Sequence, residues 1–221
     1  MGTASRPAYD AHADWYEGFI FRGGDYLRRV HVTVGDLLGV GEGPCLDICC
    51  GTGAHASVPA GLGWTPVGVD LSGGQLRHAR GRLPVARGDA VALPVADASL
   101  PAAMCVLAST DLPDYPAVLR EVARVLRPGG RFVHVGVHPC FVGAFADWSQ
   151  FPRVVVDERY ADRARSFDSW NTEGVRARVG AWHVPLADLL TATVAAGLRL
   201  VRVVEAGPGG VPDLFGFVAA R

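Results

Sequence analysis

Short apolar runs recur along the chain, separated by stretches with helical spacing. Five such runs stand at about 44–48, 65–70, 84–88, 102–108 and 131–137. Runs this short and this continuous suit strands buried on both faces. The stretches between them carry helix signals. A glycine turn precedes 54–62, Ser72 stands where it can cap a helix reaching about Arg82, and 115–126 ends at Arg127-Pro-Gly-Gly130. Residues 91–100, with Pro94, read as a loop. Strands alternating with such helices predict parallel β-α-β units.

Both ends of the chain depart from that rhythm. Residues 1–6 read as a loose tail, and Tyr9, Trp15, Tyr16, Phe19 and Phe21 then recur at broadly helical spacing. Gly23-Gly24 breaks this segment, and Asp25 is placed to cap a helix through Leu38 with apolar residues at 27, 30, 34, 37 and 38. From His138 to about Pro185 the pattern dissolves among prolines, aromatics and mixed charges. A stretch that long without element signals is usually a lid or a binding wall. A helix at 186–196 and strands at about 198–205 and 211–219 close the chain. The expectation is one domain over 1–221, with a helical cap at about 7–38 and an insertion at about 138–185.

Composition narrows the class. Apolar residues make up 49% of the chain and charged residues 19%, as in soluble globular proteins. The 21 basic residues are all Arg and stand against 22 acidic ones, with no basic stripe for a nucleic acid. No run of 18 apolar residues and no cleavable leader pattern occurs, so the expectation is no membrane partner and a cytoplasmic location. Cys45, Cys49, Cys50, Cys105 and Cys140 are odd in number, which fits buried thiols in a reducing compartment. Cys45, Cys49, Cys50 and His55 crowd together, but their spacing fits no common zinc pattern, so no metal is expected.

Candidate chemistry gathers at Pro44-Cys-Leu-Asp-Ile-Cys-Cys-Gly-Thr-Gly-Ala-His55. This reads as a strand, a tight glycine turn and a helix start, where a ligand can lie against bare backbone. Nineteen residues after Gly51 a second run ends at Asp70, a carboxylate at a strand tip suited to a ribose diol. Gly51-Thr-Gly53-Ala-His-Ala56 matches the dinucleotide fingerprint G-x-G-x-x-G/A. Asp47-Ile-Cys49-Cys50-Gly51-Thr-Gly53 more closely resembles the first motif of the class I, Rossmann-like S-adenosylmethionine-dependent methyltransferases, acid-x-G-x-G-x-G. The acid four residues before Gly51 discriminates, because a nucleoside sulfonium has no phosphate and welcomes an acid near its amino group. Cys49 departs from the pattern by standing where the first glycine belongs; if that position needs positive φ, Cys is costly there.

The resemblance covers most of 40–137 and carries further implications. It implies a three-layer α/β fold, with a mostly parallel seven-stranded sheet flanked by helices and an antiparallel last strand. Asp70 would hold the ribose hydroxyls, Leu71 the adenine face, Asp89 the adenine amino group, and the Ala90 amide the ring. Tyr9 and Tyr16 resemble an aromatic pair that closes over the sulfonium end, and Asp47, Cys49, Gly51, Gly53 and Ala108 complete the expected cofactor residues. Leu119 to Val133 is similar to the family's helix-turn-strand five segment. Asp47 has a second reading, as an acceptor for the amides of its own glycine turn. Pro101 stands where the family often has an acid, which bears on how strand four begins.

The implied activity is methyl transfer to a small-molecule acceptor. A proton-bearing acceptor needs a base, and a histidine suits neutral pH. His138, just past strand five, and His183, at the end of the insertion, are the candidates; His12, Asp111 and Asp114 stand behind them. Phe141, Phe145, Trp148, Phe151, Trp170 and Trp182 could line an acceptor pocket. An NAD(P)-dependent oxidoreductase and a non-catalytic descendant that binds a nucleoside or a partner are the alternatives. The acceptor and the oligomeric state are not legible.

Overall fold

In the computed structural model the protein is described over residues 7–169 and 173–221. The 1–6 tail and Trp170 lie outside the described residues. Seven strands form one sheet: β1 (Pro44–Ile48), β2 (Thr65–Asp70), β3 (Val85–Arg87), β4 (Leu100–Val106), β5 (Leu126–Val137), β10 (Arg199–Ala206) and β11 (Leu214–Ala220). Their spatial order is β3-β2-β1-β4-β5-β11-β10. The pairs among β1 to β5 are parallel, and β11 runs antiparallel to both β5 and β10. The last strand therefore slots between two others, and the edge on that side belongs to β10.

Alternation along the central strands fixes the layers. Cys45, Ala102, Met104, Val133 and Val135 face one side, where Val30, Val34, Leu37 and Leu38 of α2 (Gly24–Leu38) cover them. Leu46, Ile48, Ala103, Cys105 and Phe132 face the other. There Val118, Leu119, Val122 and Val125 of α5 (Tyr115–Val125) pack with Leu189 of α7 (Leu186–Ala195). All seven β4 residues are buried, as a strand covered on both faces requires.

Several elements differ from expectation for local reasons. Asp25 does not cap α2; it lies inside the first turn, paired with Arg28 at 3.1 Å. The helix expected at 54–62 shortens to α3 (Ser57–Gly61), because Gly53 at φ 74 starts a turn and Pro59 offers no amide. Ser72 does cap its helix, accepting from the Gln75 amide, but α4 (Gly73–Ala79) ends short of Arg82. The glycine pair after Arg127 does not end α5: Leu126 is already extended (ψ 136°), so Arg127-Pro-Gly-Gly130 becomes the irregular start of β5. The pairing of β4 with β5 shifts register between Leu100 and Ala102, around Pro101.

The 138–185 segment is more ordered than its pattern implied. It holds a hairpin of β6 (Ala146–Gln150) and β7 (Arg153–Val156), a second pair of β8 (Arg165–Ser166) and β9 (Ala181–Trp182), and α6 (Val175–Val179). The β9 strand packs against the 109–111 turn that follows β4. The Arg178 guanidinium lies 4.3 Å from the Trp15 ring of α1 (Ala13–Arg22), so this segment and the N-terminal helices meet. Among the described residues, no helix is long and apolar enough to cross a membrane.

Candidate active site at the carboxyl edge of the sheet

Parallel strands end at a common edge, and this chain turns sharply there. After β1 it passes through Cys49 (φ 58°), Gly51 (φ 54°) and Gly53 (φ 74°). Gly53 has no room for a side chain, since an added Cβ would sit 2.7 Å from the Leu83 side chain. The turn brings the Gly51 amide to Asp70 Oδ2 at 2.9 Å, and the Ser72 amide donates to Oδ1 at 2.8 Å. Burial pushes the Asp70 carboxyl up, while these two amides hold it down.

A pocket opens above this junction. Tyr9, Tyr16, Cys49, Gly51, Asp70, Leu71, Asp89, Ala90 and Ala108 all line it. Leu71 presents 46% of its surface, an apolar face open to a ligand. Asp89 is exposed, and one of its oxygens accepts the Val91 amide at 3.1 Å. Asp47 and Gly53 lie outside the lining. Asp47 is only 1% exposed, its Oδ2 has no partner, and burial with the Asp70 charge pushes its carboxyl up to about 8. Its reading as an acceptor for its own turn fails, because the Gly51 amide goes to Asp70 instead.

The N-terminal segment closes one side. Asp10 Oδ1 accepts from Ser72 Oγ at 2.5 Å and from the Gly74 amide at 3.1 Å, tying this segment to the start of α4. The Tyr9 and Tyr16 rings meet edge to face at 5.3 Å, and the Tyr9 hydroxyl donates to Asp111 Oδ2 at 3.0 Å. Burial pushes the Asp111 carboxyl up to about 7, with the Tyr9 bond opposing and the Asp70 charge adding. The insertion supplies the opposite wall through Arg165, Val179, Gly180 and Trp182.

Neither candidate histidine reaches this pocket. His138 is buried; its Nε2 pairs with Glu205 at 2.7 Å and its Nδ1 accepts the Cys140 amide at 3.1 Å. His183 packs between Phe145 and Tyr160, at 4.4 and 5.2 Å between centroids, and burial pushes it down to about 4. His12 lies between the first turn and α1, outside the pocket. Asp114 caps α5 through the Ala117 amide. Of the described aromatics in the insertion, Trp182 faces the pocket. Phe145 is insertion core, Phe141 packs on His138, and Trp148 stacks on Phe151. Among the described residues, no three His, Cys, Asp or Glu side chains gather as a metal site, and Cys45 faces the sheet core.

Some pocket residues gave no signal in the sequence. Leu107, just past β4, has φ 57°, a left-handed position held by a branched aliphatic side chain, and it lines the pocket with Cys49. Strained backbone of this kind collects at functional sites. Arg165 and Gly180 come from an insertion whose pairing no periodicity announced.

Comparison with known proteins points the same way. Residues 46–134 match the family described as a methyltransferase domain. A demethylmenaquinone methyltransferase of Corynebacterium kroppenstedtii is 32% identical over 146 residues, 61% of this chain and 64% of that one. A probable phthiotriol/phenolphthiotriol dimycocerosates methyltransferase of Mycobacterium ulcerans is 38% identical over 112 residues, 47% of this chain and 42% of that one. The chain thus spans less than two thirds of either relative. A crystal structure of an S-adenosylmethionine-dependent methyltransferase from Mesorhizobium loti superposes with a TM-score of 0.69 at 22% identity, covering 90% of this chain and 99% of that one.

Three variants probe the strain and the buried acid. Cys49→Gly should keep stability within about 1 kcal/mol, because relief of left-handed strain offsets the flexibility of glycine. Cys49→Val puts a β-branched residue at φ 58° and should lose about 1–3 kcal/mol in urea unfolding. For Asp47, an unfolded aspartate titrates near about 3.9 and the folded one near about 8, so the folded state holds the extra proton between those values. Stability from this group is therefore lost as pH rises through that window. Between about pH 5.5 and 7.5, Asp47→Asn should lose about 1–2 kcal/mol less than wild type in urea titrations.

Proposed function

We propose that the chain, which matches a methyltransferase domain over residues 46–134, is a class I, Rossmann-like S-adenosylmethionine-dependent methyltransferase that moves the methyl group of that cofactor to a small-molecule acceptor. The observation that carries this reading is the set of strand tips: Asp70, Leu71, Asp89 and Ala90 on one pocket beneath Tyr9 and Tyr16. The names of the two relatives, one for demethylmenaquinone and one for phthiotriol dimycocerosates, support a small organic acceptor. So does a balanced charge of 21 basic and 22 acidic residues, which offers a nucleic acid little. The free cysteines support a reducing, cytoplasmic setting. We read 1–221 as one catalytic unit with a cap at about 7–38 and a lid at about 138–185.

The residues present fit the cofactor. Buried Asp47 has an oxygen without a partner behind the glycine turn, and burial holds Asp47, Asp70 and Asp111 back from ionising, so a cationic ligand would be the group that draws them to the charged form. Asp70 would hold the ribose hydroxyls, Leu71 and Ala90 the adenine, Asp89 its amino group, and Asp47 with the Cys49–Gly53 turn the amino-acid end. Bound there, S-adenosylmethionine supplies a methyl group already activated on sulfur. The work left to the protein is alignment and removal of a proton from the acceptor.

Asp111 is the base that the geometry favours over His138 and His183. It stands on the pocket wall, poised near neutrality, with Oδ2 fixed by the Tyr9 hydroxyl. A hydroxyl or amine of the acceptor would pass its proton to the Asp111 carboxylate as its lone pair takes the methyl group. Tyr9 orients that carboxylate and, with Tyr16, covers the pocket.

Calorimetry with S-adenosylhomocysteine tests the cofactor assignment, with NAD alongside. Wild type should bind S-adenosylhomocysteine and not NAD, and Asp70→Ala should weaken binding about 10- to 100-fold, the worth of hydrogen bonds to a charged acceptor. Binding of NAD alone would support an oxidoreductase; binding of neither by folded protein would support a non-catalytic role. Once an acceptor is in hand, the rate should rise with pH through about 7 as Asp111 ionises. Asp111→Asn should remove that inflection and lower kcat about 10²- to 10⁴-fold.

A further inference from the structure

The lid wall of the pocket carries Arg165, whose guanidinium makes no ion pair among the described residues. Arg165 lines the pocket, and its guanidinium donates to the Val179 carbonyl and lies 5.1 Å from the Phe167 ring. It is seated on Gly180, where an added Cβ would come within 2.8 Å of Arg165 Nε. The β8–β9 pairing sets Arg165 directly opposite Trp182, another pocket residue. Among the described residues, no carboxylate lies within ion-pair distance of Arg165 or of half-buried Arg176, one helix away. Both guanidinium charges act on Asp111 and draw its carboxyl downward, which puts them on the acceptor side.

The two halves of the pocket therefore differ in charge. The strand tips carry Asp70 and Asp89; the lid offers a planar fork of donors, of which, among the described residues, one is spent on the Val179 carbonyl. A guanidinium held by a carbonyl, a ring and a glycine seat is preorganised for an oxyanion. We propose that the methyl acceptor carries an anionic group, a carboxylate or a phosphate, that docks on Arg165 with Arg176 behind it, leaving its nucleophile at Asp111. This inference rests on the methyltransferase reading of the same pocket. It also gives a reason for Gly180, whose φ of 68° and lack of a side chain together leave Arg165 its place.

The test is anion binding by the full chain, with acetate and inorganic phosphate as probes. Calorimetry and the arginine Nε–H signals in nitrogen-15 spectra are followed with and without S-adenosylhomocysteine, so the anion result is readable even if the cofactor assignment fails. Saturable binding of at least one probe is expected, with the Arg165 signal moving. Arg165→Gln should weaken it about tenfold or more, Arg165→Lys should fall between wild type and Arg165→Gln because it keeps the charge and loses the fork, and Arg153→Gln, on the exposed hairpin, should leave it unchanged. Unchanged thermal unfolding shows that the lid is intact, and S-adenosylhomocysteine affinity should stay within about twofold of wild type. Equal binding by wild type and Arg165→Gln, or none by either, would overturn the proposal. So would a tenfold loss of S-adenosylhomocysteine affinity in Arg165→Gln, which would assign the guanidinium to the cofactor.

Discussion

The bond from the Gly51 amide to Asp70 is the junction on which the upper edge of this protein depends. It ties the turn after β1 to the tip of β2, and Asp70 uses its other oxygen on Ser72, where α4 begins. Three separate pieces of chain thus share one carboxylate. The bond forms only because the backbone reverses through left-handed positions at residues 49, 51 and 53. Without that reversal α3 could not pack back on the sheet, and the crevice above the strand ends would close. Open α/β sheets place ligands at this edge, where helices and loops part.

Holding such an edge open costs stability. Cys49 and Leu107 directly follow the adjacent strands β1 and β4 with left-handed backbone, at about 1–3 kcal/mol each. Asp47, Asp70 and Asp111 are all pushed toward the protonated form by burial. These costs sit on the least yielding part of the molecule, where β1 and β4 are buried on both faces between α2 and α5. A rigid base can hold strained tips in place, whereas a looser one would relax and lose the pocket. The same crowding of acids makes the site receptive to positive charge, so what costs the fold stability favours a cationic ligand.

How much of this was legible depended on whether the cause was local. β1 and β2 fall at the residues read from their apolar runs, because the parts of each that are buried in the sheet, such as Cys45, Leu46 and Val69, are apolar. The resemblance named Asp70, Leu71, Asp89 and Ala90, and all four line one pocket because they stand at or just past the tips of β2 and β3. Asp25 misled because a good capping residue one step inside a helix looks the same in sequence as one at its start. His138 drew attention by its place after β5, yet its ring is spent on Glu205 and Cys140, partners 67 and 2 residues away. Asp111 ranked low because its value comes from Tyr9, 102 residues upstream, and from burial, neither of which a window of sequence reveals.

That contrast divides the pocket into two kinds of surface. The strand-tip half is built from short-range geometry: a glycine turn, an acid at the end of a run, a cap two residues later. The other half is assembled by long-range pairing, in which β8 meets β9 across the lid and β9 rests on the turn carrying Asp111. Changes in the lid can therefore reshape what the pocket accepts while leaving the Gly51–Asp70 junction untouched, because the lid contributes no residue to that bond. The reverse does not hold. Losing the junction would shift the β2 tip and the start of α4, and with them Asp10, the N-terminal turn and the tyrosine that fixes Asp111. The proposed cofactor and base sites are thus mechanically linked through the N-terminal segment, and the wall formed by β8 and β9 is the part left free to vary.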